Sequence, residues 1–413
     1  MMGYEEALAR LLAEVRALDT EAVPIAQAIG RVLATDVTAR VALPGFDHAA
    51  MDGYALAAAA GLHAGSEHAV AGTLAAGEGV SGAARAAEAI EIMTGAPLPP
   101  GLDTVVAVER TDLLTSDASG QPLRIRLHDA VTTGANVRRA GSDFAAGEVI
   151  EHAGVRLRPP HAMAFAACGI ARVEVIRQPR VCVIGTGREL VDDPAQPLGE
   201  GQIYSSNAPY LEAALAAAGA EVIASSVVED HAADYLAALA ASPSADLVIS
   251  TGAVSMGRYD FVPEAVAAIG GRVLFHGVAM RPGKPLFAAA LPGGGLLLAL
   301  PGTPMAVAAA MRFFVMPVLR AMRAERAPVA RHARLQAAWK GKPGLRHFLR
   351  GRVEPDAAGV LQAQPLPQQE PFRMRPFVAA NAWLVMPEQP GEASAGSLVE
   401  VHPLDAMDGG TGE

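Results

Sequence analysis

Acidic and hydroxyl side chains stand at the ends of successive strand-like runs in the second half of this chain. Thr186 and Glu189 close the run VIGTGREL, Asp230 follows residues 222–228, and Gly252, Ser255 and Asp260 belong to DLVISTGAVSMGRYD, residues 246–260. Arg281 and Lys284 lie further on, in VAMRPGKPL. Carboxylates and hydroxyls suit a hard cation such as Mg2+, which takes one or two carboxylates and leaves room for substrate phosphates. A lysine in a Pro-Gly-Lys-Pro turn is a point charge placed for an oxyanion or a phosphate. Consecutive backbone amides in a glycine-bearing loop form an anion-binding nest. One such loop is usually only a turn, but the design recurs at residues 180–190, 246–260 and 296–304. Together these features point to a metal-assisted site for an anionic, phosphate-bearing small molecule.

The first half of the chain has its own clusters. Asp47, His48 and Asp52 lie beside Phe46, Met51 and Tyr54 in PGFDHAAMDGYAL, which reads either as an acid/base or metal cluster or as a polar loop tethered by its aromatics. Thr94 opens the Pro-rich loop TGAPLPPG. Arg138, Arg139 and Asp143 lie among glycines at residues 134–150, as a solvated hairpin or as the border of an anionic ligand. No Walker sequence, dinucleotide fingerprint or Ser-His-Asp order appears.

These residues must be positioned by a long chain. At 413 residues it predicts two to four domains, and 51% apolar against 18% charged residues supply a sizeable core. A net charge of −10 without a basic patch excludes nucleic acid as the expected partner. Two cysteines, Cys168 and Cys182, match neither a disulfide framework nor a zinc spacing, so a reducing cytoplasm is expected. The opening MMGYEEALARLL has no apolar signal core. The most apolar stretch, residues 293–319, is interrupted by Pro301, Pro304, Pro317 and Arg312, so no membrane span is expected.

Hydrophobic periodicity predicts a helix over residues 4–18, a helix-and-turn unit over 24–37, and short strands near 89–93, 104–109 and 123–127. Residues 179–323 alternate strand and helix, with strands at 181–184, 222–228, 247–249, 272–275 and 296–300 and a helix that Asn207 could cap. Short strands broken by Pro and Gly follow, at 334–339, 348–353, 382–386 and 398–401. The expected fold is α/β and multidomain: a mainly parallel α/β domain, an inserted α+β domain, a helical and extended linker domain and a small C-terminal β domain. The expected division is linker 1–45 and 138–178, inserted domain 46–137, α/β domain 179–326 and β domain 327–405.

PGFDHAAMDGYAL, EIMTGAPLPPGLDTVV, GANVRRAGSDFAAG, VIGTGREL, GQIYSSN, DLVISTGAVSMGRYD, VAMRPGKPL and LPGTP occur in that order. In this the chain resembles the molybdopterin molybdenumtransferases, a family that includes the C-terminal domain of gephyrin, over roughly residues 5–403. The resemblance implies Mg2+-dependent insertion of molybdate into adenylylated molybdopterin with release of AMP, the final step of molybdenum cofactor synthesis. It also implies a homodimer whose active site is shared between subunits, and contact with other cofactor-synthesis proteins or molybdoenzymes. By motif, it assigns catalytic roles to Asp52, Asp143, Glu189 and Asp260, with Asp52, Glu189 and Asp260 as metal ligands. Thr94, Thr186, Asp230, Gly252, Ser255, Arg281, Lys284, Pro301 and Pro304 would bind substrate.

The chain departs from the family pattern at Arg188 and Ser205, where Asp is usual, and at Ser142, where Glu is usual. Ala253 replaces a glycine, Thr303 an Asn, His48-Ala49 an Asn-Ser, and residues 368–376, QQEPFRMRP, a Gln-Gly-Ser-Gly-like stretch. Ala253 fits only if its position does not need positive φ. Two other readings compete: a divergent paralogue that holds molybdopterin or its product as carrier or scaffold, and an adenylyltransferase, which would resemble the α/β part alone.

Overall fold

The computed structural model describes residues 1–79, 88–242, 244–254, 261–388 and 391–404. Three six-stranded sheets dominate these residues. The first contains Gly53–Leu56, Glu67–Leu74, Glu88–Ile92, Thr104–Ala107, Thr111–Ser116 and Pro122–Leu127. Its side chains alternate between two cores, as strand geometry requires: Ala55, Ile92 and Val105 share one, Tyr54, Leu56 and Val106 the other. Around this sheet, Thr20–Pro24 pairs with Arg172–Ile176, Val37–Thr38 with Val149–Glu151, and His48–Ala49 with Val137–Arg138. Each ribbon joins a segment before the sheet to one after it, and Val23, Leu33, Phe165 and Val175 pack in the core between them. The expected helix-and-turn unit at 24–37 reduces to one helical turn, Ile25–Ala28, because Thr20–Pro24 is drawn into a ribbon.

The second sheet runs Glu221–Val228, Arg180–Thr186, Leu247–Thr251, Leu296–Leu300, Phe287–Ala290, Arg272–His276. The first four strands are parallel and the last two antiparallel. LVIST and LLLAL are apolar almost throughout and wholly buried, as central strands covered on both faces must be. One face packs against Leu211, Leu215, Met305 and Phe314, the other against Tyr235, Leu239, Val262 and Val266. The strand Phe287–Ala290 was not expected, since FAAA carries almost no periodic signal.

The third sheet closes on itself. Arg346–Pro355, Leu361–Pro365, Arg331–Leu335, Leu398–Pro403 and Ala382–Met386 form a ring, because Ala382–Met386 pairs back onto Arg346–Pro355. Met280–Arg281, from the α/β part, adds to the outside through Met280↔Arg346 and Arg281↔His347. This barrel therefore braces the turn that carries Lys284.

The Pro304–Met322 helix is the one described helix long and apolar enough to cross a membrane, yet 78% of its apolar window is buried inside the protein. It is a core helix, and it continues through Pro317, inside the stretch whose prolines argued against a span. Proline removes an N–H and crowds the carbonyl four residues back. The helix widens to a π turn at Met311–Val315, and the Phe313 carbonyl accepts the Tyr4 hydroxyl at 3.2 Å. Tyr4 belongs to the N-terminal helix Tyr4–Leu12, whose Tyr4, Ala7 and Leu11 enter the α/β core. That helix stops short of the expected residue 18 because the chain turns to let Leu18 N donate to Met322 O at 2.8 Å.

Candidate active site

Arg180–Thr186 and Leu247–Thr251 are neighbours, yet the chain leaves them toward opposite sides of the sheet. Their carboxyl ends flank a switch point, where open α/β sheets place ligands. Gly252 closes that end at φ 94°, where an added Cβ would stand 2.5 Å from Thr186 Oγ1 and 2.7 Å from its carbonyl oxygen. Only glycine fits there. Thr186 is buried and donates its hydroxyl to Thr251 O at 3.1 Å, so it fastens the two strand ends together. Gly252 N donates to Leu300 O at 3.0 Å and ties in the third strand.

Beside this junction lies a cavity of about 400 Å³, lined by Gly252, Ala253, Arg281, Lys284, Pro301, Thr303 and Pro371 among others. Arg281 and Lys284 are exposed, and Val278 N holds their turn closed by donating to Lys284 O at 2.9 Å. Pro304 follows Thr303 as the first residue of its helix. The expected Asn207 cap is not formed: Ser206 precedes the helix, and Asn207 Nδ2 donates instead to Gly302 O at 2.8 Å. Asn207 thus holds the Pro-Gly-Thr-Pro loop against the next element.

Glu189 and Asp230 approach one loop. Glu189 folds back over Gly187, where an added Cβ would meet its carboxylate oxygen at 2.8 Å, and Asp230 accepts from Arg188 N at 3.4 Å. Exposed Arg188 immediately precedes Glu189 in that loop. Ser255 and Asp260 fall on 255–260, outside the described residues. Among the described residues, no three of His, Cys, Asp or Glu come close enough to hold a metal by themselves.

A second construction belongs to the first half of the chain. Asp52 Oδ1 accepts both Thr94 N and Thr94 Oγ1 at 2.7 Å. The amide, and then the hydroxyl, hold this exposed carboxyl below the usual carboxylate range. Asp47 accepts Arg139 Nη1 at 2.5 Å and Ala140 N at 2.8 Å, and the Ala140 amide followed by Arg139 lowers its pKa as well. Asn136 Nδ2 donates to Val105 O at 2.9 Å, and Asp143 N to Leu43 O at 3.0 Å, with the Asp143 side chain exposed. Three motifs far apart in sequence are so joined in one place. Among the described residues, the cavity lining holds none from 46–137.

Sequence reasoning missed Arg350. It is fully buried; Nη2 donates to Gln368 O at 2.8 Å, while Nε and Nη1 have no hydrogen-bond partner. Burial lowers its pKa and nearby Glu370 opposes the shift, but an arginine stays charged. Buried donors without acceptors are rare and costly, and a water, an ion or a bound group can complete such a set. An arginine in RHFLRGRV looks like any residue of a half-exposed strand, so no local signal could have found it.

Two of the departures sit in the left-handed region: Ala253 at φ 49° and Gln368 at φ 60°. The condition under which Ala253 would fit without strain is not met. Ala253 borders the cavity, and Gln368 supplies the carbonyl that holds Arg350.

Three family models match consecutive parts of the chain: the MoeA N-terminal region (domains I and II) at residues 2–169, a probable molybdopterin binding domain at 182–321, and the MoeA C-terminal region (domain IV) at 332–404. The chain is 36% identical to the molybdopterin molybdenumtransferase of Synechococcus elongatus over 98% of its own length and 100% of that protein. It is 35% identical to molybdopterin molybdenumtransferase 2 of Mycobacterium tuberculosis, covering 96% and 98% of the two chains. A crystal structure of the molybdopterin biosynthesis MoeA protein from Pyrococcus horikoshii superimposes with a TM-score of 0.83 at 29% identity, covering 99% of this chain and 100% of that one.

Proposed function

The chain belongs to the molybdopterin molybdenumtransferase family and so to molybdenum cofactor biosynthesis, and from that premise we propose that it inserts molybdate into adenylylated molybdopterin with release of AMP. The observation that carries this reading is the cavity at the switch point, walled by the Arg281–Lys284 turn and suited to an anion. Water adds to the adenylyl phosphorus, the phosphoanhydride bond breaks, and AMP leaves. Molybdenum then bonds to both dithiolene sulfurs, and the two thiol protons depart with one molybdate oxygen as water.

Lys284 and Arg281, which line the cavity, neutralise phosphate charge, and an oxyanion reaching Arg350 would complete its unpartnered donors. Glu189 and Asp230 approach one loop, and with Asp260, which the motif resemblance adds, they would supply the carboxylates for Mg2+, since this ion takes one or two of them beside substrate oxygens. Bound there, the ion would polarise the phosphoanhydride. Asp52, with Thr94 holding it ionised, serves the same reaction from the partner subunit of a homodimer. Support for that arrangement comes from the cavity lining, which contains nothing from 46–137. Asp143 lies where the inserted part rejoins the linker and positions one against the other. We place the protein in the cytoplasm, in keeping with two free, buried cysteines.

The test incubates the protein with adenylylated molybdopterin, molybdate and Mg2+ and follows AMP. Release above a protein-free control is expected, and none would overturn the reading. AMP release that survives EDTA would remove Mg2+ from it.

A further inference from the structure

The wall of the cavity formed by Pro371 continues into an aromatic residue that the proposed reaction has not used. Pro371 O accepts Met305 N at 3.1 Å, which fixes the segment at the start of the Pro304–Met322 helix. Arg373 N donates to Glu370 O at 3.0 Å, closing a turn with Phe372 near its tip. Phe372 is 62% exposed, and the Arg373 guanidinium lies 5.3 Å from its ring centroid. An exposed phenylalanine alone needs no explanation. This one directly follows Pro371 of the cavity wall, on a turn closed by hydrogen bonds. Gln369 accepts Arg350 N at 3.0 Å and donates to Arg350 O at 2.8 Å and Leu366 O at 2.7 Å, so the base of the turn is locked.

A cavity of about 400 Å³ lies near the lower end of the range that holds small ligands. The proposed substrate carries two fused ring systems joined through phosphates, more than a cavity of that size is expected to take, and a ring left outside would lie across the mouth. Aromatic side chains beside arginine stack on flat nitrogen heterocycles, whatever their exact substitution.

We propose that Phe372, braced by Arg373, is the stacking platform for the fused heterocycle that the cavity leaves outside, adenine or pterin. The inference rests on the function proposed above and adds a substrate-binding residue to it. The geometry also gives a role to part of the 368–376 segment, in which this chain departs from the family pattern.

Calorimetric titration of the full-length protein with AMP, neopterin and ribose 5-phosphate tests it, using wild type, Phe372→Ala and Phe372→Tyr. Phe372→Ala should weaken AMP or neopterin about five- to a hundredfold, Phe372→Tyr should restore the affinity, and ribose 5-phosphate should bind all three alike. Equal affinity of both ring ligands for wild type and Phe372→Ala overturns the platform while AMP release by wild type leaves the reaction standing. Equal weakening of ribose 5-phosphate also overturns it, since the effect would then not be stacking. A wild-type protein that neither releases AMP nor binds either ring overturns both.

Discussion

Asp52 and Arg350 carry opposite charges in opposite surroundings. Asp52 is exposed and satisfied, with two donors from Thr94 on one oxygen. Arg350 is buried and incompletely satisfied, with two nitrogens lacking acceptors. Water would solvate Asp52 in any case, so its hydrogen bonds set its direction and charge at little expense to the fold. Arg350 lost its water on folding, and its missing acceptors are a standing penalty. An exposed group can be oriented cheaply, whereas a buried one with donors to spare lowers stability until something accepts them.

The largest test of that contrast is Arg350→Met, which keeps bulk and removes charge. AMP release should fall about a hundredfold or more, while thermal unfolding is unchanged or moves upward. A lower unfolding temperature would make Arg350 a structural residue. Next is the proposed division of the two regions between subunits. Asp52→Asn and Asp260→Asn should each abolish AMP release in folded dimers. Subunit exchange should return activity to the mixture, about a quarter of the wild-type rate, since half the dimers are mixed and one of their two sites is intact. No recovery, with mixed dimers confirmed by differently tagged subunits, would put both residues in one subunit's site.

The crevice side stores backbone strain as well. Ala253→Gly should raise the stability read from urea unfolding by about 0.5–1 kcal/mol, because a left-handed conformation penalises a side chain. A loss instead would mean that the Ala253 methyl group packs usefully against the cavity. The smallest effect concerns Asp52. The Thr94 amide is the larger cause of its lowered pKa and the hydroxyl the second. Thr94→Val should therefore raise the pKa without returning it to the ordinary value, moving the acid limb of the pH–rate profile upward. A profile identical to wild type would assign the whole effect to the backbone.

The strand ends were legible because LVIST and LLLAL are apolar almost throughout and then break at glycine or proline. The place of Gly252 at the cavity followed from that punctuation, and that of Lys284 from its Pro-Gly-Lys-Pro turn. Of the two antiparallel strands, the edge strand was expected at 272–275, whereas Phe287–Ala290 was not legible, since the alanines in FAAA alternate nothing. Arg350 was hidden for a different reason: its burial comes from barrel closure between residues 346–355 and 382–386, which no local pattern encodes. Asn207 looked like a cap because its type and place suited one, and the nearby Gly302 carbonyl claimed its amide instead. Each gap is a contact between distant segments.

The hydrogen bond from Tyr4 to the Phe313 carbonyl spans 309 positions of the chain. Read as an order of events during synthesis, it means that the first helix leaves the ribosome long before its acceptor exists. At about 5–20 residues per second, that interval is about 15–60 s. A helix of nine residues does not hold its shape alone in water for any part of it. The opening segment therefore waits unfolded while later parts assemble, and docks only once residue 313 has emerged. Residues made early are thus among the last to find their place.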